Sequence, residues 1–152
     1  MPSLGITSAT ALSLALLFGR EIPDVRDATM SAREVTVAAT DYAFLPLPAI
    51  RSGPTLIAFV NRGKVDHEVA IARLRSDVSV DQFLKAPPGP QRRALMDGFV
   101  GVLITEPGKT AAAKLSVDLS KGATYMVWCS FRDKPDSPPH IALGMYTAFT
   151  PR

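Results

Sequence analysis

The chain has few of the residue types on which several common classes of protein depend. It contains a single cysteine, so no disulfide can form within it. Its formal net charge is only +3 over 152 residues, whereas nucleic-acid binding calls for a clustered basic face. The sequence has no nucleophile motif, no paired carboxylates suited to acid–base catalysis and no glycine-rich phosphate-binding loop. It therefore predicts neither a nucleic-acid-binding protein nor an enzyme.

The amino-terminal stretch 6–18 is apolar apart from small hydroxyl residues. A membrane span takes about 20 residues, so this stretch is short for a crossing. We expect residues 1–30 to be a secretory signal peptide or a short N-terminal anchor, although no Lys or Arg precedes the apolar run. A first helix packed on the domain is the alternative. Export predicts a periplasmic or secreted protein, either free or membrane-anchored through this segment.

Residues 31–152 have the size and the apolar content of one domain. Short alternating segments bounded by turn residues predict an all-β fold with at least seven strands. The expected strands cover residues 33–39, 55–60, 67–74, 98–105, 111–119, 124–131 and 141–149.

The pattern changes between the third and fourth of these strands, where Val80 and Phe83 recur at helical spacing. Asp77 or Ser79 could cap the start of this helix. A second short helix is expected over residues 91–96. We interpret this region as a short helical insertion on the surface of the domain.

Four side chains in the sequence are of types that bind copper: His67, Cys129, His140 and Met145. Imidazole suits copper, a thiolate favours Cu(I), and a thioether makes a weak, long axial contact. An electron-transfer metal needs such a compromise, because a site that strongly preferred one oxidation state would trap the metal there. The spacing of the four residues requires the fold to bring them together.

Residues from about 34 to 149 resemble a cupredoxin, the plastocyanin and azurin type of small copper protein. Four phrases carry the resemblance: Asp41-Tyr-Ala-Phe-Leu-Pro, Phe59-Val-Asn-Arg-Gly followed by His67-Glu-Val-Ala-Ile, Asp118-Leu-Ser-Lys-Gly-Ala-Thr-Tyr-Met-Val-Trp-Cys129, and Pro139-His-Ile-Ala-Leu-Gly-Met145.

The resemblance implies a Greek-key β-sandwich over residues 31–152 that holds one type 1 copper ion. His67, Cys129 and His140 would be equatorial ligands, and Met145 would be the axial ligand. It also implies a monomer that carries single electrons between redox partner proteins outside the cytoplasm. In the family electrons enter or leave at the exposed edge of the second histidine, so we expect His140 to lie near the surface.

The chain departs from the family pattern at two places. Residues 130–139 separate Cys129 from His140, which is closer to the longer ligand loop in the copper domain of nitrite reductases. Glu68 stands where the family often has Asn, and it could accept a hydrogen bond from the Ser130 hydroxyl or from a backbone N–H. Changes to groups that support metal ligands tune the metal.

Each candidate ligand has a structural alternative. His67 and His140 could be hydrogen-bonded core histidines, Cys129 could be a small buried apolar residue, and Met145 could fill the core. A thiol enzyme built on Cys129 is a weak hypothesis, because it also needs an oxyanion site. A copper carrier or storage protein, and a metal-free cupredoxin-like binding module, remain open.

Overall fold

The computed structural model describes residues 31–152 as two four-stranded sheets packed face to face. The first sheet has the order β2-β1-β3-β6 and contains β1 (Arg33–Thr40), β2 (Ala43–Phe44), β3 (Gly53–Asn61) and β6 (Leu115–Leu119). The second has the order β5-β4-β7-β8 and contains β4 (His67–Leu74), β5 (Met96–Thr105), β7 (Tyr125–Trp128) and β8 (Tyr146–Phe149). The expected leader, residues 1–30, lies outside the described residues.

Neighbouring strands are antiparallel except for β1 and β3, which pair in parallel. The chain crosses from the first sheet to the second after β3, returns for β6 and crosses again for β7. The predicted Greek-key β-sandwich is thereby confirmed.

The main core lies between the sheets and is formed by the inward-facing residues, which occupy alternate positions along the strands of both sheets. Phe59 of β3 and Val69, Ile71 and Val127 of the second sheet are all 0% exposed. Burying a side chain of this size contributes roughly 1.5–3 kcal/mol. His67 shares the inward face with Val69 and Ile71, as the alternation of β4 predicts.

A second apolar cluster lies on the outer face of the second sheet, beneath two short helices, α1 (Val80–Lys85) and α2 (Pro90–Arg93). Ser79 caps α1 and forms a capping box with Gln82, so of the two expected caps Ser79 is the right one. Phe83 is fully buried against Trp128, with ring centroids 5.2 Å apart. The predicted short helical insertion is therefore confirmed, and it covers part of the outer face of this sheet.

The last expected strand, 141–149, was wrong in its first half. Residues His140–Leu143 form a 3-10 helix, and β8 begins only at Tyr146. Gly144 ends the helix with φ of 100°, a left-handed conformation that glycine adopts without strain. This turn brings the backbone of Met145 within hydrogen-bonding distance of His140, and β8 then pairs with β7.

None of the helices within residues 31–152 has the length and apolarity needed to cross a membrane.

Candidate metal centre

Three of the four predicted ligands meet at one end of the sandwich. His67 is the first residue of β4, Cys129 follows β7 directly, and His140 begins the 3-10 helix. Their nearest donor atoms all lie within 4.8 Å of one another, and none of the three residues is more than 1% exposed. Within the described part of the chain, no other group of His, Cys, Asp or Glu forms such a cluster.

The separations of the donor atoms fit a single metal ion. The two Nδ1 atoms are 3.2 Å apart, and Cys129 Sγ is 3.4 Å from Nδ1 of His140 and 4.0 Å from Nδ1 of His67. For an ion about 2.0–2.1 Å from nitrogen and about 2.3 Å from sulfur, near-tetrahedral angles give roughly 3.3 Å between nitrogens and about 3.5–4 Å between nitrogen and sulfur. One sulfur and two imidazoles suit copper or zinc, and a weak axial thioether would favour copper.

Both imidazoles turn Nδ1 toward the cluster and Nε2 toward a carboxylate. Nε2 of His140 is 3.0 Å from Asp133 Oδ1, which is a hydrogen bond. Nε2 of His67 is 3.6 Å from Asp41 Oδ1, which is longer than a hydrogen bond and acts as an electrostatic contact. A proton on each Nε2 leaves both Nδ1 lone pairs facing each other, and they repel unless a proton or a metal cation lies between them.

Tyr42 covers the two histidines from the first sheet side. Its ring meets that of His140 edge-on with centroids 5.1 Å apart, and its hydroxyl donates to Asp133 Oδ2 at 2.5 Å. Tyr42 has φ of 62°, uncommon for a residue other than glycine, in the turn between β1 and β2. Because of this cover, His140 is only 1% exposed, and its Nε2 atom contacts Asp133, whose side chain is 31% exposed.

Backbone hydrogen bonds tie the ligand loop to itself. Cys129 N–H donates to Met145 O at 3.2 Å, and Met145 N–H donates to His140 O at 2.9 Å. Ile141 N–H donates to Cys129 O at 2.8 Å. The Met145 side chain is fully buried in the main core, as either an axial ligand or core filler would be. Its axial role therefore stays a prediction.

Glu68 joins the histidine strand to the cysteine loop. Its side chain accepts a hydrogen bond from a backbone N–H, one of the two kinds of donor expected for it, and the donor is Ser130 N–H at 2.7 Å. Its own N–H donates to Cys129 Sγ at 3.4 Å. The Ser130 hydroxyl is instead 2.9 Å from Trp128 Nε1, whose N–H it accepts. Trp128 lies on the opposite face of the strand from Cys129, as expected.

Burial and charge set the protonation of these groups. Burial raises the pKa of the Cys129 thiol to about 11, and burial followed by the neighbouring His140 lowers the pKa of His67. The hydrogen bond from Tyr42, and then that from His140, lowers the pKa of Asp133. The backbone N–H of Lys64 lowers the pKa of Asp41. The centre thus combines two ionised carboxylates with a thiol that a bound cation would help to deprotonate.

Sequence reasoning missed three residues of the centre. Asp41 and Tyr42 fall in one of the phrases that carry the family resemblance, but nothing in the sequence indicated that they lie at the centre. Asp133 falls in the long loop between Cys129 and His140 and was not among the candidate residues. The phrase Asp41-Tyr-Ala-Phe was visible as part of the family resemblance, but no sequence signal links it to Asp133.

No family model and no curated protein matches the chain. Among solved structures, a dithionite-reduced auracyanin from the photosynthetic bacterium Roseiflexus castenholzii has a TM-score of 0.52 at 16% identity, over 80% of this chain and 98% of that one. Auracyanin B has a TM-score of 0.52 at 20% identity, over 80% of this chain and 89% of that one. Auracyanin A, a "blue" copper protein from Chloroflexus aurantiacus, has a TM-score of 0.48 at 17% identity, over 78% and 99%. The first two likenesses show that the chain has the cupredoxin fold of the auracyanins.

Proposed function

We propose that the chain binds one copper ion as a type 1 centre and carries single electrons between larger redox proteins outside the cytoplasm. One observation carries the proposal: two buried imidazoles turn their Nδ1 atoms to one point, 3.2 Å apart, with the only thiol of the chain beside them. Two facing lone pairs are stabilised by a proton or a cation between them, and the thiol beside them makes a metal cation the better match.

His67, Cys129 and His140 would hold the ion, and Met145 would be its fourth ligand. Copper, when bound, supplies one-electron chemistry between Cu(II) and Cu(I). The residues of the chain keep water from the ion, because all four side chains are at most 1% exposed. Backbone bonds within the loop and the Glu68 bridge would hold the donor residues in place around the ion.

Burial of the donors favours an electron carrier over an enzyme. Tyr42 and Asp133 lie between His140 and solvent, so a substrate molecule would have to displace them to reach the ion. An electron can pass through bonded and packed atoms without that displacement. The auracyanin from Roseiflexus castenholzii is described in a dithionite-reduced state, and its shared fold supports a redox role here. We propose that the chain acts as a monomer with protein redox partners and without nucleic acid.

The test is a visible spectrum of the 152-residue chain after addition of Cu(II). We expect an intense thiolate-to-copper charge-transfer band, which Cys129→Ser should abolish. Met145→Leu should change the band or the reduction potential, whereas Met126→Leu is the matched control. Met126 is also fully buried, but it lies in the outer cluster beneath the helices.

A colourless chain that binds no copper would overturn the proposal and favour a metal-free binding module. A chain that takes up copper only as Cu(I), with no coloured oxidised form, would favour a copper carrier or storage protein.

A further inference from the structure

His140 differs from the other histidine in how its ring is supported. It belongs to a 3-10 helix that follows a loop, so no strand fixes the direction of its side chain. The ring contacts two side chains that lie 91 positions apart in the sequence and are hydrogen-bonded to each other. Asp133 lies 3.0 Å from Nε2, and the edge-on ring of Tyr42 lies 5.1 Å away between centroids.

Asp133 is held at both of its oxygens. Oδ1 accepts from Nε2 of His140, and Oδ2 accepts from the Tyr42 hydroxyl at 2.5 Å. The Asp133 side chain is 31% exposed, so it could turn toward water if nothing held it. A carboxylate that accepts a hydrogen bond at each of its two oxygens has a single favoured orientation.

We propose that Asp133, held by Tyr42, is a positioning residue for the copper ligand His140. By accepting the Nε2 proton it fixes the tautomer of the ring, and the Nδ1 lone pair is then directed at the ion. Its negative charge, one imidazole away from the ion, also favours Cu(II) over Cu(I) and so lowers the reduction potential. The inference rests on the proposed copper function and names a second role for the residues that cover the site.

The first measurement is the tautomer of His140, read from ¹⁵N chemical shifts of the imidazoles in the metal-free and Cu(I)-loaded chain. In the wild type we expect the proton on Nε2 in both forms. Asp133→Ala should give a mixture of tautomers in the metal-free form. Asp133→Asn should preserve the wild-type tautomer, because the amide oxygen still accepts the Nε2 proton.

The second measurement is the reduction potential of the copper-loaded chain. Asp133→Asn should raise the potential, because it removes the charge while it keeps the hydrogen bond. Supporting groups of metal ligands typically alter metal affinity about 10–100-fold. A tenfold loss confined to Cu(II) corresponds to a rise of about 59 mV.

Two further variants separate the effect of the Tyr42–Asp133 hydrogen bond from the general effect of a negative charge in the loop. Tyr42→Phe keeps the aromatic ring over His140 and releases Asp133 Oδ2, so the Nε2 proton should exchange faster with solvent. Asp136→Asn removes the same charge from the same exposed loop, and Asp136 lies outside the His140 hydrogen bonds. It should leave the tautomer unchanged and shift the potential less than Asp133→Asn does.

The inference fails alone if a coloured Asp133→Ala chain keeps the wild-type tautomer and potential. It also fails if Asp136→Asn shifts the potential as much as Asp133→Asn. A wild-type chain that takes up no copper would instead overturn the proposed function, and this inference with it.

Discussion

The candidate metal centre has two halves that are built in different ways. The loop half runs from Cys129 to Met145 and contributes Cys129, His140 and the predicted axial Met145. The strand half contributes only His67, which comes 62 positions before Cys129 and is backed by Asp41. In the loop half, backbone hydrogen bonds join the ligand positions directly.

The strand half is held by the sheet. β4 pairs with β5 and β7, and the register of these pairs fixes the position of His67 relative to the other residues of the centre. The loop half therefore depends mainly on local sequence, whereas the strand half depends on the packing of the whole sandwich. The difference means that damage to either half should reach the metal by a different route.

Removal of one ligand from each half should have the largest effect. With free Cu(I) at about 1,000 times its dissociation constant, binding should raise the free energy of unfolding of the wild type by about 4 kcal/mol. His67→Ala should lose most of this gain in stability, because only the donors of the loop half would remain to bind Cu(I). Anaerobic urea unfolding of each variant in the presence and absence of Cu(I) measures this Cu(I)-dependent gain in the free energy of unfolding.

His140→Ala is the matched variant in the loop half and should lose the gain to a similar extent. If His67→Ala retained most of the Cu(I)-dependent stabilisation, the loop half would be a sufficient binding unit and the two halves would not be equal partners.

The sequence indicated the candidate ligands of both halves and the role of Glu68 as an acceptor, but it did not indicate Tyr42 or Asp133. The loop half was accessible because its ligands follow one another within a short stretch, and His67 because it shares the alternation of β4. Tyr42 and Asp133 are 91 positions apart, and their contact depends on a turn in which Tyr42 has φ of 62°. Neither alternation nor composition predicts such a conformation in a tyrosine.

The same reason explains the errors in the elements. Residues 141–149 alternate as a strand would, but Ile141 N–H donates across the loop to Cys129 O, and Ala142 N–H donates to Pro139 O, three residues before it, as in a 3-10 helix. Phe83 was placed in a surface insertion because helical spacing does not reveal which sheet face a helix covers. Tertiary contacts decided both outcomes.

The next prediction concerns the seam between the halves, where the Cys129 thiol lies against Glu68 N–H and His140. Burial raises the pKa of this thiol from 9.0 to about 11. Below pH 9 the thiol is protonated in both the folded and the unfolded metal-free chain. Between about pH 9 and pH 11 the unfolded chain loses the proton first, so folding should weaken by about 2–3 kcal/mol as pH rises.

Other groups titrate in this range, so the measured quantity is the difference between wild type and Cys129→Ala in urea unfolding at each pH. Equal slopes in the two proteins would show that the thiol is not held in a low-dielectric seam. Bound copper should also remove the slope, because the metal keeps the sulfur deprotonated throughout.

Glu68 connects the halves directly, and its removal should have an intermediate effect. In Glu68→Ala the N–H of Ser130 loses its acceptor, which costs about 1–3 kcal/mol if the group stays buried. Glu68→Gln retains an acceptor oxygen and should cost less. The urea midpoint at constant m-value gives both numbers. A Glu68→Ala chain as stable as Glu68→Gln would mean that water replaces the bridge and that the halves are not clasped there.

The smallest expected effects come from one glycine in each half. In the strand half, a Cβ on Gly63 would lie 2.3 Å from Asp41 Oδ1 and 3.0 Å from His67 Nε2. In the loop half, a Cβ on Gly144 meets nothing within 4 Å, but the residue has φ of 100°. Gly63→Ala should therefore cost about 1 kcal/mol through crowding, and Gly144→Ala about the same through backbone strain.

Asparagine separates these two causes, because it adopts left-handed backbone more readily than alanine and is also larger. Gly144→Asn should be more stable than Gly144→Ala, because the space around position 144 is open and the only requirement there is a left-handed backbone conformation. Gly63→Asn should be less stable than Gly63→Ala, since a longer side chain presses further on Asp41 and His67. Thermal unfolding of the four metal-free variants measures both orders. If asparagine acted in the same direction at both positions, one physical cause would govern both halves, and the contrast between a local loop and a packed strand would not hold.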